Sequence, residues 1–341
     1  MKSLKKTGMA RALVRGAVAV AGTMAFVLPN IAQAADQVKF IADWTAEAEH
    51  GCFYQSKADG TYEKAGLDVS IQSGGPSVNG PQLLAAGAVD FAIISSGIQA
   101  IGMTKNKIPI TIVAALMQRN EQILMAHKEA GMHSLADMKG KPVMISSFSV
   151  QAYWPWLSAE FGFTEDQIRP YNFNLAPFLQ DKTTIQQGYL TSEPFAAKKG
   201  GANPQVFLLA DYGYVDTGSL IGVRTDWIKS KPDLIKRFID ATMKGCYNFL
   251  NGDPSVAFAA IKKDNPEMGD DQMKYTWDQL KANEIFTSGD AKTLGIGAMT
   301  DARWKAIWDQ MVKDKISDPG EDYKAAYDSQ FVNKKVGMPA Q

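Results

Sequence analysis

Val38-Lys-Phe-Ile-Ala42 and Leu67-Asp-Val-Ser-Ile71 are two short β-prone runs, and His50 to Ala65 between them reads as a helix that stops at Gly66. The second run alternates polar and apolar side chains, as a strand with one covered face does. Strand, helix of a dozen or so residues, strand is a βαβ unit, and its crossover requires parallel pairing. The alternation continues outward. Phe91-Ala-Ile-Ile94, Ile108 to Leu116 and Gln122 to Ala126 read as further strands, with helices over Asn79 to Gly87 and Gly97 to Thr104. It resumes with Val143-Met-Ile145, a helix from Gln151 to Phe161, and strands near Ile168–Asn172, Gly188–Thr191 and Val206–Ala210. The class is therefore α/β with largely parallel sheets. From Thr225 the character changes: Asp226 to Leu250, Pro254 to Lys263, Asp270 to Ala282, Asp301 to Lys313 and Glu321 to Ser329 all read as helices. No repeat, low-complexity tract or Gly/Pro/Ser-rich linker interrupts the chain, which favours two lobes joined by short crossings.

Of the 341 residues, 45% are hydrophobic and 21% charged, enough core-forming material for one large or two smaller domains. Residues 1–34 hold five cations (Lys2, Lys5, Lys6, Arg11, Arg15) and no carboxylate, leaving 31 basic against 36 acidic residues in 35–341. A mildly acidic body lacks the basic face that nucleic-acid phosphates demand. The basic start, the apolar run Ala17 to Leu28, the break at Pro29-Asn30 and the small residues of Ala32-Gln33-Ala34 follow the order of a secretory signal peptide, cleaved after Ala34. At twelve residues the apolar run is short of the roughly 20 that span a bilayer. The mature protein is expected in the periplasm. Cys52 and Cys246 form no CxxC, and nothing local brings them together, so two buried free thiols are expected, with pairing in an oxidising compartment as the alternative. With three histidines in all, His50, His127 and His133, no metal centre is expected.

Enzyme signatures are missing from the sequence: no GxGxxG opens a helix, and there is no P-loop or GxSxG elbow. Ser73-Gly-Gly-Pro-Ser77 reads as a turn. The informative residues lie just past the carboxyl ends of the strands, the edge where open α/β sheets bind ligands. Asp43-Trp44 follow the first strand and His50 opens the first helix; Ser95-Ser96 follow the third. Ser146-Ser147 follow Val143-Met-Ile145, with Tyr153 and Trp154 behind, Ser192-Glu193-Pro194 starts a helix, and Asp211 to Asp216 follow the strand at Val206. Serines there supply hydroxyls or cap helices, and aromatic rings supply flat walls.

At these residues the chain resembles a known family. Phe40-Ile-Ala-Asp-Trp44, His50, Gly66-Leu-Asp-Val69 and Gly87-Ala-Val-Asp90 look like the opening of the nitrate/taurine-type solute-binding proteins, the extracytoplasmic receptors of ABC importers. Leu135-Ala-Asp-Met-Lys-Gly-Lys-Pro142 and Gly188-Tyr-Leu-Thr-Ser-Glu-Pro194 resemble two later segments of that family, and the Asp-Trp-x5-His spacing is closest to its thiamine-pyrimidine-precursor-binding branch. That branch usually carries a proline between the Trp and the His, where this chain has Thr45-Ala-Glu-Ala-Glu49. The cysteine-rich motif of the related eukaryotic pyrimidine synthase is absent.

The resemblance implies a two-lobed, type II periplasmic binding protein, each lobe a mostly parallel sheet flanked by helices, with a helical C-terminal part. Residues 35–125 and 222–341 would form lobe 1 and 126–221 lobe 2, with crossings near Leu124–His127 and Ser219–Gly222. It implies a monomer that closes on a small planar ligand, needs no cofactor, and is recognised by a membrane permease. Trp44, Tyr153 and Tyr214 would stack on the ligand, His50 and Glu193 would hydrogen-bond its edge, and Asp43, Ser95, Ser96 and Ser147 would complete the site. A sulfonate, taurine or nitrate receptor is the alternative, disfavoured by Asp43 and Glu193; an exported pyrimidine-modifying enzyme is a further one.

Overall fold

The computed structural model describes residues 34–75 and 77–340, so the proposed signal segment lies outside the described residues. Strands β1 (Asp36–Ile41), β2 (Leu67–Gln72), β3 (Phe91–Ser96) and β4 (Ile110–Met117) come first, followed by β5 (Gln122–His127), β6 (Val143–Ile145), β7 (Ile168–Pro170), β8 (Ile185–Tyr189), β9 (Pro204–Leu208) and β10 (Gly218–Arg224). They form two five-stranded sheets, ordered β2-β1-β3-β10-β4 and β7-β6-β8-β5-β9. In the first, β1 lies parallel to β2 and β3, with Asp36 opposite Leu67 and Phe40 opposite Phe91. In the second, β6 lies parallel to β7 and β8. Each sheet also receives one antiparallel strand: β10 between β3 and β4, and β5 between β8 and β9. The sheets are therefore mixed. Every residue of β4 and β5 is buried, in keeping with strands covered on both faces.

The chain passes to the second sheet between Met117 and Gln122 and returns between Leu208 and Gly218. Leu124–His127 and Ser219–Gly222, expected as crossings, lie inside β5 and β10. The run Gly218-Ser-Leu-Ile-Gly-Val-Arg224 carries no strand reading in the sequence because two glycines dilute its β-propensity. Arg303 Nη2 joins the two crossings, donating to the Gln118 carbonyl at 2.7 Å and the Asp216 carbonyl at 2.9 Å. Asp216 Oδ1 accepts from the backbone N–H groups of Gly97 at 3.0 Å and Thr217 at 2.8 Å.

Three of the expected helices are broken by local chemistry, and a fourth, Gln151 to Phe161, is interrupted at Tyr153 ahead of Pro155. The stretch from His50 becomes Gly51–Ala58 and Thr61–Lys64, because Asp59 Oδ1 accepts from the Thr61 N–H at 2.9 Å and starts a new turn. The stretch from Asp226 splits into Trp227–Ser230 and Pro232–Asn251, since a proline pushes the residue before it, Lys231, out of helical geometry. Glu321 to Ser329 holds only short 3-10 turns, Tyr323–Ala326 and the start of Ser329–Phe331, where Asp322 and Asp328 side chains bond local N–H groups.

Helix Pro232–Asn251 is amphipathic and lays its apolar stripe on the first sheet. Phe238 stacks on Phe91 with ring centroids 4.0 Å apart and on Tyr62 at 5.4 Å, while Phe40 stacks on Phe53 at 4.0 Å. The same helix corrects the expectation of free thiols: Cys52 and Cys246 form a disulfide, with Cα atoms 4.2 Å apart. Gly245 explains the approach. A Cβ there would fall 1.7 Å from Ser56 Oγ and 2.8 Å from the Cys52 carbonyl oxygen, so only glycine lets helix Gly51–Ala58 pack this closely. The pairing joins residues 194 apart, which no local spacing reveals.

Cross-linking a loop of that length removes about 5 kcal/mol of unfolded-chain entropy in the polymer model, of which native disulfides typically deliver about 2–5 kcal/mol. A Cys52→Ala/Cys246→Ala double variant is thus expected to lose about 2–5 kcal/mol in urea unfolding. Equal stability of variant and oxidised parent would show that the cross-link contributes nothing.

Candidate ligand-binding cleft

The carboxyl ends of β1, β3, β6 and β8 open onto one cleft of about 730 Å³, lined from both sheets. Asp43-Trp44 leave β1 and turn into the cleft. The turn is held by the Gly74 N–H, which donates to the Trp44 carbonyl at 2.8 Å. A Cβ on Gly74 would sit 2.5 Å from the Asp43 carbonyl carbon, so this backbone approach requires glycine, and the glycine-rich segment serves as a support for Trp44. Trp44 faces Phe173, which follows β7, with ring centroids 4.9 Å apart, and Tyr171 lies 5.3 Å from Phe173 on the same side. Aromatic rings from the two sheets thus meet across the cleft.

Asp43 is the best-supported carboxylate in it. Its Oδ1 is 3.3 Å from His50 Nε2, and its Oδ2 accepts from the Ser95 hydroxyl at 2.9 Å. Burial disfavours its charge, but the His50 and Ser95 contacts outweigh burial and hold its pKa below the usual carboxylate value. The other carboxyl groups go the opposite way. Burial pushes Glu193 up to about 7, although its Oε2 accepts from the Tyr189 N–H at 2.7 Å and its Oε1 from the Tyr171 hydroxyl at 3.3 Å. Burial, with the charges of Glu121 and Glu193, takes Glu47 to about 7. Glu49 is raised well above the ordinary value by burial and by Glu47, Glu121 and Asp43, and Glu121 is raised chiefly by burial. The Thr191 hydroxyl, at the end of the second sheet, lies 2.6 Å from Glu121 Oε2 and 3.3 Å from Glu49 Oε2. No lysine or arginine is among the described residues lining the cleft.

Of the residues singled out in the sequence, Asp43, Trp44, His50, Ser95, Ser147 and Glu193 line this cleft. Ser96, Tyr153 and Tyr214 do not. Ser96 is buried, and its hydroxyl accepts from the Gln99 N–H at 3.0 Å as the cap of helix Gly97–Lys105. Tyr153 and Tyr214 are buried against each other, ring centroids 5.9 Å apart, and the Tyr214 hydroxyl donates to Asp216 Oδ2 at 3.3 Å beside the crossing. Their rings serve packing. The sequence reading missed Glu47, Glu49, Glu121, Tyr171 and Phe173, all of which line the cleft. A signal for the first two was present: in Ala46-Glu47-Ala48-Glu49 both alanines are buried, so the glutamates fall together on the other side.

Two α/β lobes with a shared cleft at their strand ends define the architecture of the periplasmic binding proteins. The putative sulfonate ABC transporter, periplasmic sulfonate-binding protein SsuA of Methylobacillus flagellatus KT has this fold, with a TM-score of 0.61 at 13% identity over 88% of this chain and 93% of its own. The desulfurization enzyme DszB shares it too, with a TM-score of 0.57 at 9% identity over 87% of this chain and 97% of its own. The chain belongs to the NMT1/THI5 like family, whose profile matches residues 47–257. Among its relatives, riboflavin-binding protein RibY of Chloroflexus aurantiacus is 22% identical over 237 residues, 67% of either chain. A putative thiamine biosynthesis protein of Haemophilus influenzae is 28% identical over 116 residues, 34% of this chain and 36% of its own.

The raised carboxyl groups set a pH dependence. Glu47 and Glu193 titrate near 7 in the fold against 4.5 as the ordinary value, so between those values the folded chain binds more protons than the unfolded one. Their stabilising contribution is full below about 4.5 and is lost as pH rises through about 7. The lowered Asp43 changes stability only below its ordinary 3.8. Ligand-free protein is therefore expected to resist urea better at about pH 5 than at about pH 7.5, and Glu193→Gln to reduce that difference. A stability rising across this interval would contradict the burial of these groups.

Proposed function

We propose that the chain is the extracytoplasmic substrate-binding component of an ABC importer, holding a small planar, nitrogen-bearing heteroaromatic between lobes built on the two sheets. The observation that carries the reading is the pairing of the Trp44–Phe173 wall, 4.9 Å between centroids, with carboxyl groups in a cleft whose described lining has no lysine or arginine. Trp44 would stack on the ring, Glu193 and His50 would meet its N–H groups and ring nitrogens, and Ser95 and Ser147 would bind further polar edges. Contacts made only with the lobes together would shift an open–closed equilibrium, and a membrane permease would recognise the closed form. The basic and apolar residues 1–34 would direct export.

A pyrimidine of the thiamine-precursor type fits this wall and its acceptors. The volume of about 730 Å³ also favours a second reading, a larger planar ligand such as a flavin, the compound named for the RibY relative. Nitrate and the sulfonate group of a sulfonate or of taurine offer no N–H donor and would be repelled by the carboxylates, and taurine has no ring to stack on Trp44. An exported enzyme acting on the same ligand is separated by turnover: a receptor returns its ligand unchanged.

Mass spectrometry of what co-purifies with the protein identifies the ligand class directly. In calorimetry with an aminopyrimidine, riboflavin, taurine and nitrate, one of the first two is expected to bind. Stacking adds about 1 kcal/mol beyond buried area, and a charge-assisted hydrogen bond about 1.5–3 kcal/mol. Trp44→Ala and Glu193→Gln are each expected to weaken that binding about tenfold or more, 1.4 kcal/mol being a factor of ten. Tight binding of taurine or nitrate, or an affinity untouched by Glu193→Gln, would reject this assignment.

A further inference from the structure

We propose that the buried end of the cleft receives a positively charged nitrogen group of the ligand, an amine, amidine or protonated ring nitrogen, which displaces hydrogen held among Glu47, Glu49 and Glu121. The proposal deepens the reading above and rests on the cleft being the ligand site.

The geometry at Thr191 favours a held proton. A hydroxyl carries one hydrogen, yet that of Thr191 lies within bonding distance of two carboxyl groups, Glu121 Oε2 at 2.6 Å and Glu49 Oε2 at 3.3 Å. If the Thr191 hydrogen goes to Glu121, the second contact is a hydrogen bond only when Glu49 is the acid and donates to the Thr191 oxygen. Like-charged carboxylates this close do not all ionise in a buried site. Burial raises all three groups, and neighbouring carboxylates add to it for Glu47 and Glu49, in agreement with that geometry.

A second observation points to a donor-rich ligand. Gln122 is buried and lines the cleft beside Glu121, and its Oε1 has no hydrogen-bond partner among the described residues; His50 Nδ1 is likewise unpartnered. Buried acceptors are normally satisfied. The groups facing this end are Asp43 and His50 from the turn after β1, Glu121 and Gln122 at the start of β5, and Tyr189 and Glu193 at the end of β8. His50 carries the one basic side chain among them. Among the described residues no three of these side chains converge at metal-ligand spacing, so the charge belongs to an organic group spread over several acceptors.

When such a cation enters, the proton of the Glu49–Glu121 pair leaves to solvent and the carboxylates turn to the ligand. Affinity then rises with pH, by up to about tenfold per pH unit for one displaced proton, and levels off above the range in which these groups titrate.

The test uses the full mature chain and three planar probes of one size: benzamidine (cation), benzamide (neutral) and benzoate (anion). Calorimetry at about pH 7.5 is expected to show benzamidine binding at least about tenfold tighter than benzamide, with benzoate undetected. Benzamidine stays charged throughout, so its affinity is expected to rise between about pH 5.5 and 8, and its heat to differ between phosphate and Tris because a proton is released. Glu49→Gln is expected to erase most of the preference for benzamidine over benzamide. Glu121→Gln serves as the second variant, and thermal melts confirm that each is folded.

Benzamide binding as tightly as benzamidine, a flat pH profile with equal heats in both buffers, or no benzamidine binding at millimolar concentration each overturns the proposal. A neutral planar compound recovered from the purified protein would reject the cationic end while leaving the receptor reading intact.

Discussion

One guanidinium group bonds to both chain crossings, which are also joined directly by Arg119 with Asp211 and by Asn120 with Asp216. Arg303 donates to the carbonyls of Gln118 and Asp216, which lie on the outgoing and returning crossings. Asp216 in turn accepts from the Gly97 and Thr217 N–H groups, tying the returning crossing to the helix that starts after β3. Because β5 and β10 are inserted antiparallel into otherwise parallel sheets, these crossings are short and fixed in register. The strand ends of both sheets therefore open on the same space, and the cleft exists only because of that exchange.

Within the cleft, two kinds of carboxyl group differ by their partners. Asp43 keeps its charge because His50 and Ser95 face it. Glu121 and Glu193 are buried, with Glu47 and Glu49 half-buried and crowded by other carboxyl groups, and the charge of all four is disfavoured. Similar chemical groups a few residues apart thus take opposite protonation habits, with burial and immediate neighbours deciding.

Much of the architecture was legible because β1 to β5 carry apolar runs of strand length punctuated by glycine and helix caps. β10 was not, since Gly218 and Gly222 weaken its pattern and its identity depends on pairing with β3 and β4. Site residues just past strand ends were readable as a group but not one by one. Ser95 and Ser96 are adjacent and chemically identical, yet one faces Asp43 and the other caps a helix. Tyr153 and Tyr214 looked like ligand walls because a sequence does not say that two such rings will bury each other. Glu121, Tyr171 and Phe173 became cleft residues only through the fold of the second sheet, and Glu47 and Glu49 were passed over as a departure from a familiar proline.

Helix Asp270–Ala282 makes a third connection between the lobes, apart from the two crossings. The Thr276 hydroxyl donates to the Thr191 carbonyl at 2.8 Å, the Tyr275 hydroxyl to the Leu190 carbonyl at 3.2 Å, and Lys199 pairs with Asp271 at 3.0 Å. Two short crossings alone would let the lobes twist as well as swing; a seam along this helix removes the twist. If the lobes part as proposed, this seam ties them beside Thr191, while Val78, Phe148 and Phe173, 41%, 37% and 43% exposed, line the cleft. An arriving molecule would then meet exposed aromatic and aliphatic surface before the buried carboxyl groups of Glu121 and Glu193, so shape is sampled first and their charge is read last.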